Sequence, residues 1–152
     1  MNVDPHAPLT GDDEITVQAP PDTVWSVLTD IDRWPEWQAG VSSAALEGDL
    51  AAGATFRWKA NGLGITSTIQ EFEPGRRIGW TGDSLGMRAI HIFALAPQDG
   101  GTRVTTEESL SGWLARILKI FDADYLDESL AGSLRALKAR AEAELEHTAT
   151  GR

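Results

Sequence analysis

Apolar and polar positions along the chain follow three successive patterns. Residues 14–18 alternate, which is typical of a strand, and apolar residues then recur at helical spacing behind Asp22, a suitable N-cap residue. A second short helix or turn is expected at 34–37. Residues 42–110 alternate in short segments separated by Gly, Asn-Gly, Pro-Gly and Asp-Gly, which predicts an antiparallel meander. We place its strands at 42–47, 54–60, 63–73, 76–83, 87–96 and 102–110.

The third pattern runs from Gly112 to about Glu146 and is helical. Apolar residues recur three and four positions apart, with charged residues between them. Gly132 lies inside this stretch and indicates either close packing or a break between two helical pieces. No other predicted element is long enough to cover the apolar face of the sheet. We therefore predict an α+β fold, with a seven-stranded curved antiparallel sheet around a long C-terminal helix and two short helices after the first strand.

The hairpin turns set the strand registers. Asn61-Gly62 is the strongest hairpin signal and places Trp58 opposite Ile65. Asp99-Gly100 likewise places His91 opposite Glu108. Two weaker turns complete the alignment. Pro74-Gly75 predicts Ile69 opposite Trp80 and Glu71 opposite Ile78, and Ser84-Leu85 predicts Trp80 opposite Ala89 and Ile78 opposite His91.

Paired residues share a face of the sheet, as do residues two apart, so the registers predict which face is covered. The predicted inner face collects Phe56, Trp58, Ile65, Ile69, Ile78, Trp80, Met87, Phe93, Leu95, Val104 and Leu110. Three ionisable residues, Glu71, His91 and Glu108, fall on this apolar face in one row. An unpartnered buried carboxylate is costly, so we expect His91 to compensate Glu108.

Length, charge and composition narrow the class of protein. The 152 residues suit one domain, which we assign to 13–146, with a flexible N-terminal tail at 1–12 and a frayed C-terminal tail at 147–152. A net charge of −10 disfavours nucleic acid and anionic membranes, and no apolar run approaches the ~20 residues of a membrane span. With 0 Cys and a polar, acidic N-terminus, we expect a cytoplasmic protein without disulfides or a metal centre.

Several segments of the chain resemble the START/polyketide cyclase superfamily, also called SRPBCC. The resemblance covers roughly 14–146 and is carried by PDTVWSVLTDI (21–31), RWPEW (33–37), FEPGRRIGW (72–80), GTRVTTEESLSG (101–112) and SLRALKARAE (133–142). It implies the helix-grip fold of the birch pollen allergen, a deep hydrophobic cavity between sheet and long helix, a small-molecule ligand and no tightly held cofactor. Members include aromatase/cyclases and lipid or sterol carriers, so the resemblance does not fix a reaction.

The predicted inner face supplies the candidate site. We predict His91 and Glu108 as catalytic residues, with His91 as general acid or base and Glu108 orienting it; the alternative is a core histidine satisfied by Glu108. Glu71 either orients a ligand or reaches water at the cavity mouth. The predicted ligand-binding residues are Phe56, Trp58, Ile69, Glu71, Trp80, Met87, Phe93, Thr106, Trp113 and Ile117.

Three functions are consistent with these residues. The first is binding of a hydrophobic lipid, polyketide or aromatic molecule in the cavity. The second is a polyketide cyclase/dehydratase-like enzyme that uses His91. The third is a stress or regulatory partner protein with a vestigial pocket. The apolar run 113–121 is expected to cover the sheet and pocket, or to form a gate or a homodimer contact.

Overall fold

The computed structural model describes residues 1–150, with side chains to residue 147. Seven strands and three α-helices form, together with one 3₁₀ helix at Ile31–Glu36. The strands are β1 (Leu9–Val17), β2 (Val41–Glu47), β3 (Thr55–Ala60), β4 (Leu63–Glu73), β5 (Arg77–Ser84), β6 (Met87–Gln98) and β7 (Gly101–Ser111). The helices are α1 (Pro21–Thr29), α2 (Trp113–Phe121) and α3 (Tyr125–Thr150).

The strands form one open antiparallel sheet in the order β1-β7-β6-β5-β4-β3-β2, and α3 packs across its inner face. The predicted α+β helix-grip fold is therefore confirmed. The sheet order follows from the short hairpins, because each strand from β2 to β7 pairs with its neighbour in sequence. Within residues 1–150, no helix has the length and apolar character needed to cross a membrane.

Three element boundaries, in β1 and in the C-terminal helical stretch, differ from the prediction by more than two residues. β1 begins at Leu9, inside the predicted tail, because Gly11 lets α3 approach closely: a Cβ there would lie 2.9 Å from Asp127 Oδ1 and 3.1 Å from Leu130 Cδ1. The break in the long helical stretch comes at 122–124 rather than at Gly132, which lies inside α3. Helix α3 also continues through the predicted C-terminal tail to Thr150, and residues 151–152 lie outside the described residues.

The strand registers confirm the strong turns and correct a weak one. Trp58 faces Ile65 and His91 faces Glu108, as predicted from the two-residue turns Asn61-Gly62 and Asp99-Gly100, whose four residues all have positive φ. The β5–β6 turn is Leu85-Gly86, because Gly86 accepts a φ of 72°. Trp80 therefore faces His91 rather than Ala89, and Ile78 faces Phe93 rather than His91. This shift of two residues keeps every side chain on its predicted face.

A β-bulge in β4 overturns the predicted position of Glu71. Ile69 faces Trp80 as predicted, but the register shifts by one residue before Glu71, which faces Gly79 instead of Ile78. One extra residue moves the following side chains to the opposite face, so Phe72 turns inward and Glu71 lies on the outer face. There Glu71 pairs with Arg77 and accepts a hydrogen bond from the Met1 amino group at 3.0 Å.

Two apolar clusters lie between the sheet and the helices. The main cluster is centred on Trp34, Phe56 and Trp80 and is covered by Leu134 and Leu137 of α3. The second cluster is smaller and lies beneath α2 and the first turns of α3. Its buried members are Leu9, Leu110, Ala115, Leu126 and Leu130. Helix α3 therefore closes both clusters along one side.

Candidate functional site

The sheet places a polar pair at the boundary between the two clusters. Along β6 the inward-facing residues run from Phe93 in the main cluster, through His91, to Ala89 and Met87 against the second cluster. His91 is 8% exposed, and its Nδ1 lies 3.4 Å from Oε2 of Glu108 on β7. Because the two residues are directly opposite in the ladder, the Asp99-Gly100 hairpin sets their contact.

Thr106 fixes the proton on the imidazole of His91. The Thr106 hydroxyl donates to the carbonyl oxygen of Ile92 at 3.0 Å, which uses its single proton. The contact of 2.9 Å between Thr106 Oγ1 and His91 Nε2 must then have the imidazole N–H as donor. Nε2 therefore carries a proton, and Nδ1 is the ring nitrogen directed at the Glu108 carboxyl.

Burial disfavours charge on both members of the pair. It lowers the pKa of His91 to about 3 and raises the pKa of Glu108 to about 8. At neutral pH the pair is a neutral imidazole facing a protonated carboxylic acid, and that acid supplies a donor for the Nδ1 lone pair. The arrangement holds an exchangeable proton inside a largely apolar interior.

Aromatic rings enclose the imidazole on the side of the main cluster. Trp80 and Phe93 lie with ring centroids 5.1 and 4.6 Å from that of His91. Trp34 is 2% exposed and contacts Phe56, Trp58 and Trp80 at centroid distances of 5.2 to 5.6 Å. The indole N–H groups are satisfied as well, since Trp34 donates to the Leu28 carbonyl and Trp58 donates to Ser67 Oγ, each at 3.0 Å.

The rings leave only a small cavity beside the pair. Its volume is about 20 Å³, which is room for about one water molecule. Its lining residues are Leu28, Trp34, Trp37, Gln38, Trp58, Trp80, His91, Phe93, Ser133 and Leu137. The resemblance predicts a deep cavity between the sheet and the long helix. This prediction is wrong for the structure, because the indoles of Trp34, Trp58 and Trp80 occupy that space.

The structure brings together four of the predicted site residues at this cavity: Trp58, Trp80, His91 and Phe93. The other predicted residues are not part of the lining, and of these Glu108 contacts His91 from β7. Phe56 and Ile69 are fully buried behind the rings, Thr106 supports His91, and Met87 packs on the second cluster. Glu71 lies on the outer face, and Trp113 and Ile117 are on the exposed side of α2, at 56% and 43% exposure.

Six lining residues were not predicted, and all six lie outside the sheet. Trp34 and Trp37 belong to the short helix or turn expected at 34–37, and the sequence did not assign that segment to the site. Ser133 and Leu137 are one turn apart on α3 and therefore lie on the same side of the helix. This is the side that the apolar periodicity predicts to cover the sheet. Leu28 and Gln38 complete the set.

A larger groove of about 410 Å³ lies between α1, the 3₁₀ helix and the C-terminal half of α3. Its lining is mostly polar and charged. Arg140 in its wall is held by Glu36 at 2.8 Å and Glu144 at 2.9 Å, and Arg33 lies 3.5 Å from Asp30. Because these cations are already paired with carboxylates, the buried His91–Glu108 pair is the stronger candidate site.

An open antiparallel sheet curved around a long C-terminal helix defines the helix-grip class. The chain belongs to the family described as polyketide cyclase / dehydrase and lipid transport, whose sequence pattern matches residues 9–142. A comparison with curated proteins found no match.

Solved structures of similar fold share few residues with this chain. A hypothetical protein from Helicobacter pylori has a TM-score of 0.80 at 18% identity, with 90% of each chain covered. The Zhui aromatase/cyclase from Streptomyces sp. R1128 has a TM-score of 0.74 at 16% identity, covering 90% of this chain and 94% of its own. A START superfamily protein from Mycobacterium smegmatis has a TM-score of 0.71 at 15% identity, covering 88% and 97%. At these identities the likeness shows the fold.

Proposed function

We propose that the protein binds a hydrophobic, ring-containing small molecule between the sheet and α3, with the His91–Glu108 pair as its polar anchor. The observation that carries the proposal is the pair itself: His91 lines an aromatic cavity, its partner Glu108 lies directly behind it, and the two side chains are only 11% and 15% exposed. Apolar walls with a few convergent polar groups are typical of small-molecule sites. The family description, which names polyketide cyclases and lipid transport, supports the same ligand class.

The aromatic lining favours a ligand with rings. A guest of ordinary size needs roughly 300 Å³ or more, so side chains must move to admit it. Trp37 and Trp58 are half-buried and lie at the edge of the main cluster, whereas Trp34 and Trp80 are buried. Displacing the two outer indoles opens the cavity with the smallest loss of core packing, and a planar ligand replaces ring contacts with ring contacts.

The polar anchor selects for oxygen atoms on the ligand. A protonated Glu108 offers one O–H donor and acceptor oxygens, and the neighbouring His91 Nδ1 is an acceptor. A ligand hydroxyl can therefore accept the Glu108 proton and donate its own proton to Nδ1, which leaves no polar group of the pair unsatisfied. An anionic ligand is disfavoured, because its charge would be buried among apolar residues and near a carboxyl group.

The binding proposal is tested by filling the cavity from α3. Ser133→Phe adds a ring where Ser133 lines the cavity, and Ser129→Phe adds the same ring one turn earlier at an exposed position. The probe is 8-anilinonaphthalene-1-sulfonamide, a neutral fluorescent ring compound, titrated into each folded variant. We expect at least about a tenfold loss of affinity for Ser133→Phe and none for Ser129→Phe. Equal binding by the wild type and both variants would overturn the proposal.

A second function, a cyclase or dehydratase-like enzyme, is favoured by the raised pKa of Glu108. A carboxylic acid that stays protonated at neutral pH can donate its proton to a ligand carbonyl or to a departing hydroxyl. His91 then orients that acid, because Thr106 holds its Nε2–H and burial makes the imidazole a weak base. The roles are thus the reverse of those expected from the sequence. Glu108→Gln should abolish turnover of a poly-β-ketone substrate while preserving its binding.

A further inference from the structure

A continuous apolar surface remains exposed at the end of the molecule next to the second cluster. It consists of the tip of the β5–β6 hairpin and one side of α2. Its exposed members are Leu85 at 74%, Trp113 at 56%, Ile117 at 43%, Ile120 at 75% and Phe121 at 83%. We call these five residues the α2 patch. Monomers rarely leave so many large apolar side chains together in water, so the α2 patch indicates a binding surface.

The α2 patch is built on rigidly connected elements. Gly86 lies directly under the Trp113 indole, where a Cβ would be 2.4 Å from the ring, and its carbonyl accepts the amide N–H of Leu114 at 2.9 Å. On the opposite side of α2, Ala115 is fully buried and Leu118 packs on the second cluster. Since the inner side of α2 is already used, the α2 patch cannot turn inward without unpacking the helix.

We propose that the α2 patch is the interface of a homodimer in which two α2 helices pack antiparallel across a twofold axis. The arrangement of the patch favours a second copy as the partner. A twofold axis between Ile117 and Ile120 places Ile117 of each copy against Ile120 of the partner subunit, so that one apolar strip covers an identical strip. Trp113 and Phe121 extend this strip at the two ends of α2.

The size of the surface predicts a weak dimer. The five side chains expose roughly 500–800 Å² per copy, taking large side chains at roughly 150–250 Å² when fully exposed. Stable complexes bury about 800 Å² on each partner, so the patch supplies most of the area that a dimer needs. The net charge of −10 on each copy adds long-range repulsion. We therefore expect a concentration-dependent equilibrium between monomer and dimer.

Substitutions within and outside the patch test this geometry by sedimentation velocity over a concentration series. Ile120→Asp should remove the dimer, whereas Leu63→Asp, a matched change on the β3–β4 hairpin, should leave it unchanged.

Three outcomes would overturn the proposal. The first is a wild-type protein that remains monomeric at every concentration. The second is a dimer that survives Ile120→Asp, which would place the interface elsewhere. The third is a monomer whose α2 patch binds phosphatidylcholine vesicles and loses that binding on Ile120→Asp, which would make a neutral lipid surface the partner. Far-ultraviolet circular dichroism on each variant checks that α2 is still folded.

Discussion

The main cluster and the α2 patch use the same types of residue under opposite conditions. In the main cluster, the rings of Trp34, Phe56 and Trp80 contact one another and are at most 3% exposed. In the α2 patch, Trp113 and Phe121 are more than half exposed. The difference arises because the main cluster lies between the sheet and two helices, while α2 has only one buried side. Apolar character therefore identifies both regions, and only the layer architecture distinguishes core from binding surface.

The largest expected effect breaks the main cluster. Trp80→Ala removes a ring that contacts Trp34, Phe56, His91 and Phe93, so we expect a loss of about 3–5 kcal/mol in the free energy of unfolding. Urea denaturation followed by far-ultraviolet circular dichroism measures it. A loss below about 1 kcal/mol would show that the rings are loosely packed and that the interior is already open.

The next effect concerns pH. In the unfolded chain Glu108 ionises above its ordinary pKa of 4.5, but in the folded chain only above about 8, so its contribution to stability is lost as pH rises between these values. The lowered pKa of His91 has the opposite effect, because it raises the free energy of unfolding as pH increases towards 6.5. Between pH 4.5 and 6.5 the contributions of the two residues therefore cancel. From pH 6.5 to 8, we expect Glu108 to reduce the free energy of unfolding by about 2 kcal/mol.

Glu108→Gln serves as the matched variant for this pH dependence. Glutamine keeps a donor facing His91 Nδ1 and cannot ionise, so the variant should lack the loss between pH 6.5 and 8. Measuring the free energy of unfolding for both proteins at several pH values isolates this residue from other titrating groups. A variant that is destabilised equally at every pH would contradict this assignment, because it would mean that the pKa of Glu108 is the same in the folded and the unfolded chain.

Thr106→Val has a smaller expected effect. The change keeps the shape of the side chain but leaves the His91 Nε2–H without its acceptor, so we expect a loss of about 1–2 kcal/mol in the free energy of unfolding. Long-range ¹H–¹⁵N correlation spectra of the His91 ring report which nitrogen carries the proton. The wild type should show the Nε2–H form. An Nδ1–H form in the wild type would contradict the assigned role of Thr106.

The smallest expected effect is in the α2 patch. Phe121→Ala removes a ring that is 83% exposed, so the free energy of unfolding of the monomer should change by no more than about 0.5 kcal/mol. Thermal or urea unfolding at a protein concentration below the dimer dissociation constant measures this change. Together with Trp80→Ala it sharpens the contrast between the two regions. A loss comparable to that of Trp80→Ala would mean that Phe121 belongs to the core.

The parts of the fold that depend on short-range signals were predictable. Two-residue turns with asparagine or aspartate before glycine gave correct registers, because those residues accept the positive φ that such turns require. The bulge in β4 was not predictable from the alternation of polar and apolar residues. That alternation is consistent with either face of the sheet for the residues that follow one extra residue. The start of β1 was hidden for a similar reason, because Gly11 contributes no apolar side chain.

The site was predictable where it depends on the sheet and not where it depends on the helices. The facing of His91 and Glu108 followed from one hairpin, and the face of Trp58, Trp80 and Phe93 followed with it. How far Trp34 enters the interior depends on the packing of the 3₁₀ helix against the sheet. That is a long-range contact, and no local pattern in the sequence specifies it.

The small volume beside His91 has a consequence for the rate at which a ligand can exchange. With room for about one water molecule, the interior must open before a guest can enter. Association should then follow conformational selection: its observed rate reaches a plateau at high ligand concentration, and the plateau equals the rate of opening. The equilibrium affinity is reduced by the fraction of open molecules, and a bound ligand is released only when the aromatic wall opens again. The rings that shape the site would thus also determine how long a guest stays.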